Sequence, residues 1–529
     1  MAKILVSDPL SKEGLAVLDG AEGIEYDLKH GMSKEELIAC ISEYEGLIVR
    51  SETKVTADVI NAAAKCKVIG RAGVGLDNVD VEAATKKGII VMNTPDGNTI
   101  STAEHTMAML LSMARKIPQS YSSLQNGKWD RKKFVGRELF GKTLGIIGMG
   151  RIGTQVAKRA QAFGMNIIAF DPFISDEAAQ RLEIRIIDLP ELYREADVIT
   201  IHTPLSAKTK GLLAKKEFEQ MNDGVMIINC ARGGIVDEAA LCEALKSGKV
   251  GGAALDVFEK EPPDMTNPLF ELGNCVTVPH LGASTSEAQI NVGIDIACQV
   301  IDALQGKPIK NAVNIPQVET GVVAILGPYI GVAEKLGSLV GQLIEGGLEN
   351  IRIEYIGELA KYNITPLTVA IVKGLLSSAM HDSTINYVNA LFVAKERGIK
   401  VVESKTDSIE DFVNLITISV SSAAISQTVS GTTLKTGDQR ILKINGFDIE
   451  AMPSGHLLIL NQTDQPGIIG KVGTIIGQEN VNIGWMQLSR IGVGSGALSI
   501  WNLDDAISED TLSRILELPE ITSASMVNL

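Results

Sequence analysis

Arg232, Glu261 and His280 each stand just beyond an apolar run in the middle of the chain. Arg232 lies in Asn229-Cys230-Ala231-Arg232-Gly233-Gly234, and Glu261 in Asp256-Val257-Phe258-Glu259-Lys260-Glu261-Pro262-Pro263. His280 lies in Val278-Pro279-His280-Leu281-Gly282-Ala283-Ser284-Thr285. Histidine titrates near neutrality and can take or return a proton. The planar fork of arginine grips a carboxylate through two parallel hydrogen bonds. A carboxylate beside the histidine orients the ring and stabilises its charged form. Such a trio suits taking the proton from a hydroxyl next to a carboxylate while hydride leaves for a carrier. Each residue alone has a bland explanation: a surface charge, a solvated acid before proline, a structural histidine. Their order behind a carrier-binding motif gives the set its weight.

That motif is Gly148-Met149-Gly150-Arg151-Ile152-Gly153, which follows a strand pattern at 143–147 and opens a helix. The first glycine permits the tight turn, the second lets backbone N–H groups approach a pyrophosphate, and the third allows helix to pack closely on strand. The helix N-terminus adds partial positive charge. The next strand ends at Asp171, 18 residues after Gly153. An acid there accepts hydrogen bonds from the adenosine ribose and repels the 2′-phosphate of NADP, which points to NAD. The plainer alternative is a turn cap beside Pro172.

These residues need a scaffold of buried strands. Up to about residue 95, apolar runs at 4–6, 47–49, 68–70 and 89–92 alternate with helical patterns at 34–41 and 57–64. The alternation predicts a doubly wound α/β domain. Residues 98–116 read as a long buried helix with capping groups in its Ser/Thr-rich start. Strands are then predicted at 143–147, 166–170, 198–202, 225–229, 253–256 and 276–278, and a second long helix at 284–304. Residues 306–316 read as a linker. Beyond it, 317–455 mixes helices such as 366–379 with strands such as 415–421. Residues 456–529 read β-α-β-β-α-β, the order of a small ferredoxin-like module.

Bulk properties narrow the classes. A chain of 529 residues is too long for one core. Its hydrophobic fraction of 45% and charged fraction of 21% are those of an ordinary globular protein. A net charge of −15 argues against a nucleic-acid partner. Six cysteines without a C-x-x-C pair argue against zinc and disulfide frameworks and fit a reducing, cytoplasmic setting; no metal is expected. The start reads as a strand rather than a signal peptide. No run of about 18 apolar residues is apparent, so no membrane partner is expected.

The motifs quoted above, with His202-Thr203-Pro204-Leu205 and Val236-Asp237, resemble the D-isomer-specific 2-hydroxyacid dehydrogenases. The resemblance implies Arg232 as substrate-binding, Glu261 as the partner of the histidine and His280 as acid/base. It implies that Gly148, Gly150, Arg151, Ile152, Gly153, Asp171, Thr203, Cys230, Ala231, Arg232, Asp256, His280, Gly282 and Ala283 hold NAD. It also implies a substrate domain built from 1–97 and 287–315, a Rossmann domain at 98–286, and a cleft between them.

Further markers carry the resemblance to the family's long form, with an intervening domain at 316–455 and an ACT domain at 456–529. They are Ile48-Val49-Arg50-Ser51-Glu52-Thr53-Lys54-Val55, Arg71-Ala72-Gly73-Val74-Gly75-Leu76-Asp77-Asn78 and Gly127-Lys128-Trp129-Asp130-Arg131-Lys132-Lys133-Phe134. The long form implies 3-phosphoglycerate as substrate, the first step of serine synthesis, and a homo-oligomer, dimer or tetramer. Arg50, Arg71 and Arg131 are candidates for the substrate's phosphate, and Val74 and Gly75 for backbone contacts to its carboxylate. In the ACT domain Asp464 and Asn482 are candidates for L-serine, with Gln462 where the family often has an aromatic residue or histidine. Lys435, Arg440 and Lys443 are candidates for an anionic effector in the intervening domain. The rival readings are a glyoxylate or hydroxypyruvate reductase and a nucleotide-sensing corepressor of the same fold. Both leave the long tail unexplained.

Overall fold

Short strands rich in branched, mostly buried residues dictate the first layer. The computed structural model describes residues 1–316, 322–344, 346–407, 414–422, 425–434, 436–490, 492 and 496–529. Strands β1 (Ala2–Val6), β2 (Ile24–Leu28), β3 (Gly46–Val49), β4 (Val68–Arg71) and β5 (Ile90–Met92) form a parallel sheet in the order β2-β1-β3-β4-β5. Every residue of β3 is buried, as a parallel sheet covered on both faces requires. Strand β2 was not expected. It lies at the sheet edge, and its half-exposed residues dilute the apolar signal.

The second parallel sheet contains β6 (Thr143–Ile147), β7 (Asn166–Phe170), β8 (Arg185–Ile186), β9 (Val198–Ile201), β10 (Val225–Asn229), β11 (Val250–Leu255) and β12 (Cys275–Thr277). Its order, β12-β11-β10-β9-β6-β7-β8, reverses between β6 and β9. Open α/β sheets bind ligands in the crevice beyond the strand ends at such a reversal. Helices Thr99–Ala114 and Ser286–Leu304 are the two crossings between the sheets. Ser101 Oγ and Thr285 Oγ1, 2.7 Å apart, tie them together. The Ser/Thr-rich start does not cap the first crossing: Asn98 is its N-cap, and while its carbonyl accepts from Thr102 N, its side chain accepts no hydrogen bond from the helix among the described residues.

Residues 306–316 are not a loose linker. Ala312 bridges to Met92, and Asn314 accepts from Val91 N and donates to Ile89 O, both at 2.9 Å. The chain leaves pinned to the edge of the first sheet.

The third sheet is mainly antiparallel: β13 (Leu348–Gly357), β14 (Lys400–Thr406), β15 (Asn414–Ser422), β16 (Ser426–Thr433), β17 (Gln439–Ile444) and β18 (Phe447–Ala451), in the order β14-β13-β15-β16-β17-β18. Helices Val323–Leu343 and Thr365–Ala379 pack beside it. Their backbones nearly touch. A Cβ on Gly337 would lie 2.1 Å from Ile371 O, and one on Gly374 2.1 Å from Glu334 O. Helix Val323–Leu343 bears on the membrane expectation. It has 21 residues, and an 18-residue window within it has mean hydropathy 1.4, long and apolar enough to cross a membrane. Here Leu326, Val332, Leu336, Leu339 and Val340 are buried in the third core.

The last sheet holds β19 (His456–Thr463), β20 (Ile483–Arg490), β21 (Gly496–Leu503) and β22 (Ile521–Asn528) in the order β20-β21-β19-β22, with helices Ile468–Gln478 and Glu509–Leu516. This is the ferredoxin-like arrangement. Leu458, Leu460 and Trp501 face its helices. Leu457, Ile459, Leu498, Ile500 and Val527 face the other way and join the core of the third sheet. The two C-terminal sheets therefore share one apolar core.

Candidate active site

The glycine turn after β6 meets the backbone demands read from its sequence. Gly148 sits at φ +97, and a Cβ there would lie 2.6 Å from His202 O. A Cβ on Gly153 would lie 2.1 Å from Gly148 O, so only glycine allows this helix–strand approach. A Cβ on Gly150 would meet nothing within 4 Å, which leaves its backbone open to a pyrophosphate. Asp171 Oδ2 accepts from Met149 N at 2.7 Å, and its Oδ1 accepts from Phe173 N at 2.8 Å. The carboxylate thus caps the local turn and is also anchored to the glycine loop. Thr203 Oγ1 is buried beside this turn with no hydrogen-bond partner among the described residues. Open backbone, a placed acid and an orphaned hydroxyl fit a dinucleotide. Ile152 packs into the core behind the turn, and Arg151 pairs at 2.6 Å with Asp96, which precedes the first crossing helix.

The trio assembles from the ends of later strands. His280 Nδ1 lies 2.7 Å from Glu261 Oε2, and Glu261 Oε1 accepts from Phe258 N at 3.1 Å. An ionised Glu261 can only accept, so Nδ1 carries the proton and Nε2 is left for substrate. The hydrogen bond to Glu261 lifts His280 above the usual imidazole range, against burial and the repulsion of Arg232. Burial alone would raise Glu261, but the His280 hydrogen bond and charge, with Phe258 N–H, hold it below the ordinary carboxylate range. His280 has φ 54, in the left-handed region that few non-glycine residues adopt. The next two N–H groups fix that turn: Leu281 N donates to Asp256 Oδ1 at 2.6 Å and Gly282 N to Asp256 Oδ2 at 2.9 Å. Ser284 N closes the loop across Ala283 by donating to Leu281 O. By contrast, burial pushes the nearby His202 down to about 4, so it stays neutral.

Arg232 projects from its Asn229-braced turn, in which Ala231 N donates to Asn229 Oδ1. Its Nε donates across the cleft to Asp77 Oδ2 at 3.0 Å. Arg71 lies close by. Gly73 and Gly75 accept the two guanidinium groups against their backbone: a Cβ would lie 2.4 Å from Arg71 NH1 and 2.0 Å from Arg232 NH2. Burial, then repulsion from Arg232 and Arg50, pushes Arg71 down to about 10, so it is still charged at neutral pH. Asn78 couples the cations, since its side chain donates to Arg50 O and accepts from Arg71 Nε. Val74 is held by Asn93, whose Nδ2 donates to its carbonyl. The result is a crowded positive floor beside His280.

Other expected residues lie elsewhere. Arg131 is exposed in the short turn Arg131–Phe134 and makes no hydrogen bond or ion pair to the cleft among the described residues. In the last module Asp464 pairs with Arg490 at 3.1 Å and Asn482 Nδ2 donates to Asp504 at 2.9 Å. Gln462 is buried against Ser499, which removes it from any surface a ligand could reach directly. Arg440 pairs loosely with Asp438 and Glu450, and Lys443 with Asp448. Lys435 lies outside the described residues. Sequence reasoning missed Asp77 and Asn78 as partners of the arginines, although both stand inside one of the quoted markers. It also missed Asp8, whose buried carboxylate accepts from Arg50 N and Thr53 and holds the Arg50 turn.

A dinucleotide crevice facing a histidine–carboxylate pair and an arginine describes a nicotinamide-dependent oxidoreductase. Residues 107–282 match the family described as D-isomer specific 2-hydroxyacid dehydrogenase, NAD binding domain. Residues 325–445 match the D-3-phosphoglycerate dehydrogenase intervening domain. The chain is 46% identical over 529 residues to D-3-phosphoglycerate dehydrogenase of Archaeoglobus fulgidus, covering 100% of both chains. It is 43% identical to that of Bacillus subtilis, again over 100% of both. Among solved structures, NAD+-bound 3-phosphoglycerate dehydrogenase of Entamoeba histolytica superposes with a TM-score of 0.51 at 32% identity, covering 59% of this chain and 98% of that one. The chain belongs to the D-3-phosphoglycerate dehydrogenases, within the D-isomer specific 2-hydroxyacid dehydrogenase family.

Proposed function

We propose that this chain oxidises 3-phospho-D-glycerate to 3-phosphohydroxypyruvate with NAD, the first step of the phosphorylated route to L-serine. The carrying observation is the His280–Glu261 pair beside the arginine-lined floor of Arg71 and Arg232, with Arg50 at its edge. His280 Nε2 takes the hydroxyl proton as the carbon–hydrogen bond breaks and the carbonyl forms. NAD, when bound, accepts the hydride. Arg232 grips the carboxylate, with backbone near Val74 and Gly75. Arg71 and Arg50 offset the phosphate dianion. The glycine turn, Asp171, Thr203 and the loops at Cys230, Asp256 and Gly282 are the groups that would hold NAD. NADH formation tests the proposal: kcat/KM for 3-phosphoglycerate should exceed that for lactate or glycolate by roughly 10²-fold or more. Equal values would overturn it.

The same reading takes 1–97 with 287–315 as the substrate domain, 98–286 as the NAD domain, 316–455 as the intervening domain and 456–529 as the ACT domain. It places the enzyme in the cytoplasm as a homo-oligomer, dimer or tetramer. Exposed Ile117, Tyr121, Leu124 and Trp129 support self-association, which light scattering would measure. L-Serine is the proposed effector, bound near Asp464 and Asn482. Calorimetry should show serine binding that Asp464→Ala abolishes; no heat with the parent protein would remove this assignment.

A further inference from the structure

Three donor side chains outside the proton-transfer pair converge below the active-site loop. His105 comes from the first crossing helix, Cys230 from the end of β10 and Asp256 from the end of β11. His105 Nε2 or Nδ1, Cys230 Sγ and an Asp256 oxygen all lie within 4.8 Å of one another. Cys230 and Asp256 are buried, and His105 is largely so. His105 Nε2 is 3.2 Å from Asp256 Oδ1 yet off the line a hydrogen bond needs, so among the described residues this buried nitrogen is left without one. Buried polar nitrogens are rarely left in that state.

We propose that His105, Cys230 and Asp256 form a binding site for a thiophilic divalent cation of the Zn²⁺ class, and that its occupation inhibits the enzyme. The donor set of one sulfur, one imidazole and one carboxylate is the chemistry zinc prefers. Zinc ligands sit about 2.0–2.3 Å from the ion, so the trio must draw in by roughly an ångström. His105, on a side chain with some exposure, has the freedom to do so. Asp256 keeps lone pairs beyond those used by Leu281 and Gly282 N–H. Burial pushes the Cys230 thiol up to about 12, so the thiol is protonated before the ion arrives. The metal–sulfur bond replaces the S–H bond, and one proton leaves to solvent. Inhibition follows from position. Cys230 lies two residues before Arg232, and Asp256 holds the turn just after His280. An ion drawing these donors together displaces both catalytic side chains and fills space assigned above to NAD.

The test uses the full-length protein. Titrated Zn²⁺ should inhibit dehydrogenase turnover, with recovery on adding a chelator. His105→Ala, and the space-filling His105→Gln, should keep basal turnover and weaken Zn²⁺ inhibition by about 10- to 100-fold. Co²⁺ should give a sulfur-to-cobalt charge-transfer band that Cys230→Ser abolishes and Cys298→Ser leaves intact. That band needs no turnover, so it stands apart from the substrate assignment. Zn²⁺ inhibition unchanged in both His105 variants, or a cobalt band that follows exposed Cys298, would overturn the proposal.

Discussion

Asp77 Oδ2 accepts a hydrogen bond from Arg232 Nε at 3.0 Å, joining residues 155 apart across the cleft between the first two sheets. The contact fixes the guanidinium plane while leaving its NH2 edge beside Gly75. Orientation of this kind acts on binding before chemistry. Asp77→Asn keeps shape and loses charge. It should raise KM for the hydroxy acid by about 5- to 10-fold with a smaller change in kcat, since a charged hydrogen bond is worth roughly 1.5–3 kcal/mol at most. Steady-state kinetics at saturating NAD would show the split. A drop in kcat at unchanged KM would contradict it.

Removal of the base should be far more severe. His280→Ala is expected to lower kcat by about 10² to 10⁴ while NAD still binds. Fluorescence titration with NADH separates the two effects. Near-native turnover would reassign the base.

The pH profile carries a sign. Glu261 raises His280, and oxidation needs His280 unprotonated, so activity climbs as pH rises through the His280 pKa. In Glu261→Gln the ring loses its anionic partner and its pKa falls. The rising limb of kcat/KM should therefore shift to lower pH, together with a lower plateau. A limb that stays put or moves upward would count against the pairing.

The proposed preference for NAD turns on Asp171. With its oxygens already accepting from Met149 and Phe173 N–H, the carboxylate cannot swing away from a 2′-phosphate. NAD should be preferred over NADP, and Asp171→Ala should narrow the ratio of the two kcat/KM values. Comparable efficiency in the parent enzyme would defeat this assignment.

The tail offers a stability test. Gly337→Ala places a methyl group 2.1 Å from Ile371 O, and overpacking of this kind costs about 1–3 kcal/mol. Calorimetry should show an earlier transition for the C-terminal half, with NADH affinity unchanged.

Legibility followed the range of the forces involved. The 148–153 turn could be read because each glycine answers a backbone constraint within a few residues, and β6, β7 and β10 carry the bounds expected of them. The Arg232–Asp77 bridge could not, because nothing local marks an acid as the partner of a cation in another sheet. Two-residue β8 is too short to leave a pattern. The shared C-terminal core has a local trace: Leu457-Leu458-Ile459-Leu460 is apolar on both faces of β19, the mark of a strand covered twice. His105 carries no local signal as one polar side chain on a crossing helix, because its neighbours Cys230 and Asp256 lie more than a hundred residues away.

The turn at Gly88 decides where force can enter the catalytic half. Asn386 Nδ2 donates to Gly88 O at 2.9 Å, Lys86 stacks over the Phe392 ring, and Ala312 and Asn314 pin the chain to the same edge of the first sheet. Among the described residues beyond, the third and fourth sheets share a common core, so the tail meets the catalytic half at that edge as one packed body. A force applied at the C-terminal end would therefore reach the first sheet before the second. The dinucleotide side feels it second-hand, through the two crossings tied at Ser101 and Thr285.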